Sequence, residues 1–463
     1  MDMNNIIDSL REDIIKSTCE IVKIKSLLDT PKEGMPFGEG VAKSLDYAIK
    51  LSEELGFKAV NLDGYVAYAE YGEGEDYVAA LGHLDIVPEG DGWKYPPYAA
   101  EIHDGKIWGR GTTDDKGPTI AALYGLKAMK EAGLKPSKKI RIIFGASEET
   151  GGPDLEYYLS KEKPPVAAFT PDANYPIING EKGLTSFHLV KDFSKKCCCD
   201  YRIKSIKGGS AGNMVPDYCE AIIETNKAEV IKEKLNKFIE DTKFEMSMEE
   251  ADNKVTIKSV GFSAHGSTPQ LGKNAIMQLM AFLGELDLGC CEIKSYIDFM
   301  NEHIGFDCYG EKFGIFLEDE VSGKLSFNFG KIDLNEEKAV ATLNLRYPVT
   351  FKLEDMMTPF NKTIEGTGFR VENFGGQEPL YFAPEHPLIK TLQKVYTEQT
   401  GEEATLVSIG GGTYAKEMPN TVAFGPMFPG DPDVVHQPNE YIEVEKLIKN
   451  AKIYGHALYE LAK

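Results

Sequence analysis

Four short apolar runs each end at a polar cluster, and this recurrence limits the folds open to the chain. YVAAL (77–81) leads into Gly82-His83-Leu84-Asp85, and KIRIIFGA (139–146) into Ser147-Glu148-Glu149-Thr150-Gly151. PVAAFTP (165–171) stops at Asp172, and TVAFGP (421–426) leads through a Pro/Gly loop to His436. Runs this short and apolar read as buried strands. Between them lie helix-like segments: one through about residue 24, one at 41–54 closed by Gly56, and one at 118–132 between Pro118 and Gly133. Such alternation predicts an α/β sheet with helices on its faces. Ligands bind beyond the carboxyl ends of strands in such sheets, so the four clusters are expected to converge in one cleft.

A chain of 463 residues exceeds what one ordinary core supports. The α/β character stops near Gly180, gives way to strands with longer polar stretches, and returns with a helix from His386 and a last one at about 441–461. A sheet-and-helix catalytic domain (1–180 and 381–463) interrupted by an inserted α+β lid domain (181–380) accounts for this. Within the insertion, NMVPDYCEAIIETN followed by AEVIKEKLNKFIED and KAVATLNLRYPVT followed by LEDMMTPFNKTIEG each read as a strand and an amphipathic helix. The insertion is therefore expected to consist of two halves on one plan.

The formal charge of −22 disfavours nucleic acid and anionic membranes as partners. No stretch approaches the roughly 20 apolar residues of a membrane span, and the first residues do not resemble a signal peptide. The eight cysteines, three of them adjacent at Cys197-Cys198-Cys199, form neither a disulfide framework nor a CxxC zinc site. Free thiols fit a cytoplasmic protein.

Taken singly, each polar cluster has an ordinary structural reading. His83 and Asp85, two apart, could be a metal ligand with its orienting carboxylate, or a satisfied histidine near a turn. The glycine-rich segment 108–118, with Asp114 and Asp115, could aim a carboxylate into the cleft or simply join a strand to a helix. It lacks the spacing of a phosphate loop. Glu148 and Glu149 are surface charge, or a metal ligand beside a proton acceptor. Two histidines with several carboxylates and no cysteine suit zinc, and manganese or cobalt less exclusively. Spacing does not distinguish two metals from one. The absence of GxSxG disfavours a serine nucleophile.

GHLDIVP, GRGTTDDKGP, SEETG, FTPDANYP, NMVPD, AHGSTP, GGGTYAK and HQPNEYI, in this order, resemble the signature of the aminoacylase, carboxypeptidase G and dipeptidase metallopeptidases, and within it the PepV-type bacterial dipeptidases. The resemblance implies one zinc held by His83, Asp114 and Asp172 and a second by Asp114, Glu149 and His436. It makes Asp114 the bridge, Asp85 the orienter of His83, and Glu148 the general base, and it implies a cis peptide between Asp114 and Asp115. From the insertion it implies His265 as oxyanion donor, Asn213 as its companion, and Arg346 as the group that grips the substrate carboxylate. Gly411, in Gly410-Gly411-Gly412-Thr413, is a candidate for close backbone approach to substrate, with a bare turn as the alternative. The expectation is a monomeric, cytoplasmic, metal-dependent dipeptidase acting on short peptides with a free amino end. Two rivals share the residues: an N-acyl amino acid deacylase or desuccinylase, and a catalytically silent metal-dependent binding protein.

Overall fold

The computed structural model describes residues 2–194, 200–289 and 291–463. The chain forms two compact units: Met1–Gly180 with Phe382–Ser408 and Gly412–Lys463, and Glu181–Tyr381 with Ile409–Gly411. The expectation about Cys197, Cys198 and Cys199 lies outside the described residues; Cys19, Cys219, Cys291 and Cys308 are free thiols.

In the first unit, strands Lys139–Gly145, Tyr77–His83, Ala167–Thr170 and Thr421–Ala423 lie side by side in that order, all parallel. Val66–Tyr71 and Lys58–Leu62 extend the sheet antiparallel beyond Lys139–Gly145. Every residue of Tyr77–His83 is buried, as expected of a parallel strand covered on both faces. Its residues alternate: Val78 and Ala80 join the core with helices Arg11–Val22, Glu39–Glu54, Lys116–Glu131, Pro387–Thr400 and Val444–Ala462. Tyr77, Ala79 and Leu81 join a second core with helix Asp154–Lys161. The segment through residue 24, expected as one helix, is two, Met3–Ser9 and Arg11–Val22, with Leu10 between them outside helical geometry. The last helix begins at Val444 because 441–443 pairs as a strand with Lys106–Trp108.

Helices Lys116–Glu131 and Val444–Ala462 cross at Gly125 and Gly455. A Cβ on Gly125 would stand 2.7 Å from the Gly455 nitrogen and 2.8 Å from the Ala451 oxygen, both rigid backbone. Gly125→Leu should therefore force the helices apart and cost about 1–3 kcal/mol or more, read as a lowered unfolding midpoint in denaturant. An unchanged midpoint would contradict the tight crossing.

The second unit is an eight-stranded antiparallel sheet in the order Glu245–Ala251, Lys254–Val260, Tyr218–Glu224, Arg202–Gly208, Ser326–Asn335, Lys338–Tyr347, Gly183–Asp192, Phe369–Gln377. From the central pair, Arg202–Gly208 and Ser326–Asn335, the order outward matches on both sides. Each inner strand continues into its neighbour, then a helix (Ala228–Thr242 or Leu353–Ile364), then the outermost strand. The two halves thus share a plan, as the repeated strand-and-helix pattern suggests. One difference stands out: Gly183–Asp192, third from the centre in the second half, comes from the start of the insertion. Helices Ala275–Gly284 and Glu292–His303 complete the core.

Candidate metal centre

The parallel strands deliver the polar clusters to one end of the sheet. His83 closes its strand, Glu148 and Glu149 lie in the turn after Lys139–Gly145, and Asp172 follows Ala167–Thr170 by two residues. His436 comes from the loop after Thr421–Ala423 and takes the left-handed conformation, φ +60°, uncommon for a residue other than glycine. Asp114 precedes helix Lys116–Glu131, and its peptide bond to Asp115 is cis, as the resemblance implies.

Asp114 stands between two imidazoles. Its Oδ1 lies 2.9 Å from His83 Nε2 and its Oδ2 lies 2.9 Å from His436 Nε2. Beyond them, His83 Nε2 is 3.8 Å from Asp172 Oδ2, and His436 Nε2 is 3.0 Å from Glu149 Oε2. Ligand atoms of His83, Asp114 and Glu149 lie within 4.8 Å of one another, as do those of His83, Glu148 and Asp172. The Glu148 carboxylate has no hydrogen-bond partner among the described residues. Nitrogen and carboxylate oxygen donors in this arrangement fit divalent cations that favour imidazole and carboxylate.

The surrounding polar groups fix these side chains. Asp85 lies just past the end of the strand, with Oδ1 3.3 Å from His83 Nδ1. Its Oδ1 and Oδ2 accept the backbone N–H groups of Glu148 and Glu149, each at 3.1 Å. One carboxylate thus positions both the His83 ring and the glutamate turn. Asp115 accepts the His83 N–H and the Thr119 hydroxyl, each at 3.2 Å. Gly82 is required there, since a Cβ would fall 2.0 Å from Thr119 Oγ1 and 2.5 Å from Asp115 Oδ2.

Two supporting carboxylates, Glu440 and Asp154, were not singled out from the sequence. Glu440 is fully buried and accepts from the Arg110 guanidinium (2.7 Å) and the backbone N–H groups of Gly111 (3.1 Å), Thr113 (2.9 Å) and Asp114 (3.2 Å). The 109–114 loop is wrapped around this one carboxylate. Asp154 accepts the N–H groups of Ala146 (2.7 Å) and Ser147 (3.0 Å) and the Tyr414 hydroxyl, anchoring the start of the glutamate turn. Glu440→Ala would leave a buried guanidinium and three amides without their acceptor. It is expected to cost about 3–5 kcal/mol in denaturant unfolding, and a loss within error of zero would contradict the wrapping.

The electrostatics follow from these distances. Burial alone would lower the pKa of His83, yet its bonds to Asp114 and Asp85 raise it well above the usual value. Burial likewise opposes the charge on His436, but Asp114 and Glu149 raise it to about 10. Against its own burial, Asp114 is held below the usual carboxylate range by the two histidines. Asp172 is pushed well up by burial and then by Asp114. Glu148 is pushed up to about 8, by burial first and then, against the pull of His83, by Glu149 and Asp114. So dense a group of carboxylates calls for positive charge, which divalent cations supply.

The remaining candidates lie in the second unit. Asn213 and His265 are exposed on adjoining loops: Gly266 N–H donates to Asn213 O (2.7 Å), Val215 N–H to Ala264 O (2.9 Å), and Met214 bridges His265. The Ser267 hydroxyl lies 2.6 Å from His265 Nδ1. Arg346 is buried on the strand Lys338–Tyr347, and its guanidinium donates to Asn344 Oδ1 (3.3 Å) and to Gly410 O. Burial lowers its pKa to about 10. Gly411 follows, with only Ile409 Cδ1 (3.8 Å) near the place a Cβ would take, so packing does not demand a glycine there.

Comparison with known proteins places this centre in a family. The model of peptidase family M20/M25/M40 matches residues 79–460. The chain belongs to that family. Its members are metal-dependent, and the centre described above lies wholly within the matched region. The chain is 40% identical over 459 residues to the putative dipeptidase YtjP of Bacillus subtilis, covering 98% of each protein. It is 35% identical over 471 residues to a Beta-Ala-Xaa dipeptidase of Lactobacillus delbrueckii subsp. lactis, covering 100% of this chain and 99% of that one. Among solved structures, human carnosine dipeptidase 1 shares the fold with a TM-score of 0.60 at 16% identity, over 99% of this chain and 98% of that one. No helix among the described residues is long and apolar enough to cross a membrane.

Proposed function

We propose that this M20 peptidase is a dipeptidase that binds two zinc ions and hydrolyses short peptides with a free amino end. The observation that carries the reading is Asp114, whose two oxygens each face a different histidine at 2.9 Å, with the Glu148 carboxylate close by and without a hydrogen bond among the described residues. His83, Asp114 and Asp172 would hold one ion, and Asp114, Glu149 and His436 the other. Such ions lower the pKa of a bound water toward neutrality and polarise a carbonyl. Asp85 positions His83 and the backbone of the glutamate turn. Glu148, with an affinity for protons raised toward neutral pH, takes a proton from the attacking water and delivers it to the departing amine.

Asn213 and His265 as oxyanion donors, Arg346 as carboxylate anchor and Gly411 as a substrate contact are proposed on the motifs NMVPD, AHGSTP, LNLRYP and GGGTYAK. We also propose that the chain acts as a monomer, because the motif AHGSTP with His265 lies within its own sequence, and that it is cytoplasmic, which its free thiols favour.

A panel of unblocked dipeptides, β-alanyl dipeptides, tripeptides and N-acetyl or N-succinyl amino acids tests the substrate class. The expected result is turnover concentrated in the unblocked dipeptides, and turnover concentrated in the acylated compounds would overturn it. Chelation should abolish hydrolysis, with zinc, manganese or cobalt restoring it to differing extents. Undiminished hydrolysis at sub-stoichiometric metal would remove the proposed mechanism.

A further inference from the structure

The second unit contains a cavity of about 620 Å³, a size typical of small-molecule sites. Its walls are largely apolar and include Val215, Met277, Ile304, Phe306, Phe327 and Phe329. Two buried amides also line it, Gln278 and Asn328, 2% and 1% exposed. Gln278 Oε1 accepts from Ser259 (3.3 Å), which leaves its NH2 group without a partner among the described residues. Asn328 Nδ2 donates to Gly212 O (2.8 Å) and Met214 O (2.9 Å), which leaves its Oδ1 without a partner among them. Both atoms open onto the cavity, so its wall offers one uncommitted donor and one uncommitted acceptor to a ligand that carries the complementary pair. A secondary amide has that pair: its carbonyl accepts and its N–H donates.

The lining also includes Lys273 and Lys312, exposed and without an ion pair among the described residues, although the chain carries a net charge of −22. Of the acids beside them, Asp307 is engaged by the backbone N–H groups of Tyr309 and Lys312, each at 2.8 Å, and Glu311 is exposed. Uncommitted cations near an apolar well suit a carboxylate on an apolar body.

We propose that this cavity is an effector site for a hydrophobic amino acid whose nitrogen is acylated and whose carboxylate is free. The apolar side chain occupies the well, Gln278 and Asn328 meet the amide, and Lys273 and Lys312 meet the carboxylate. An occupant engaging Asn328 would touch the residue that holds the carbonyls on either side of Asn213. The effect on turnover rests on the role proposed above for Asn213, whereas occupancy of the cavity does not.

Calorimetric titration of the metal-loaded full chain with N-acetyl-L-phenylalanine tests occupancy. Saturable binding is expected, weakened about tenfold for N-acetyl-L-phenylalaninamide, which lacks the carboxylate, and for 3-phenylpropionate, which lacks the amide. Gln278→Leu and the surface double variant Lys273→Glu/Lys312→Glu should each lose about as much, while Arg346→Ala keeps the affinity. Absence of saturable binding, equal affinity for the three probes, or binding lost only in Arg346→Ala would each overturn the assignment. With occupancy established, saturating probe is expected to change kcat/KM for a dipeptide about fivefold or more. An unchanged kcat/KM would overturn the effector role.

Discussion

Glu148→Ala should reduce kcat about 10²–10⁴-fold while metal content and unfolding midpoint stay at the wild-type level. The carboxylate makes no hydrogen bond among the described residues, so removing it leaves no buried partner unsatisfied. Its role depends on the proton affinity that burial and neighbouring carboxylates give it, close to 8 before cations act on it. Glutamine at the same position keeps the shape without the basicity, so Glu148→Gln should be about as slow. Because Glu148 also lies within reach of His83 and Asp172, metal analysis accompanies the kinetics. Near-normal turnover, or loss of metal together with activity, would sink the general-base assignment, and the second outcome would make Glu148 a ligand.

Metal content distinguishes Asp114 from its neighbours more sharply than activity does. A carboxylate whose two oxygens face two histidines would serve both halves of the proposed centre, whereas His436 would serve one. Metal analysis after reconstitution with zinc is expected to give about two ions per chain for the wild type, about one for His436→Ala, and less than one for Asp114→Ala. Equal stoichiometry in the two variants would contradict a shared carboxylate.

The parallel strands and the polar residues beyond them were legible because both rest on local pattern. A short apolar run with a cluster after it looks the same before and after folding, and YVAAL became Tyr77–His83, buried at every position. Helix 41–54 likewise became Glu39–Glu54. Glu440 shows what pattern cannot carry. Between Asn439 and Tyr441 it reads as surface charge, and its burial follows only from the approach of a loop some 330 residues away in sequence. Asp154 gives no local sign that it will meet Tyr414, |i−j| = 260. Gly125, inside an apolar helix, matters because Gly455 crosses it. The family motifs held part of this information, since HQPNEYI contains Glu440 and GGGTYAK contains Tyr414. The break at Leu10 had no such signal, for the helical spacing of apolar residues runs through it.

The placement of Thr421–Ala423 bears on how the protein is made. Ala167–Thr170 pairs with it on one side, yet about 250 residues separate the two in the chain. During synthesis from the amino end, Ala167–Thr170 must wait as an open, apolar edge while the whole insertion emerges, the kind of surface that invites pairing with another chain. His436 and the helix that crosses Gly125 emerge later still. Closing that edge and delivering His436 to the proposed metal centre are therefore late events in the same stretch of translation, and a ribosome that stops before residue 421 releases a chain that lacks His436 and keeps an open strand edge.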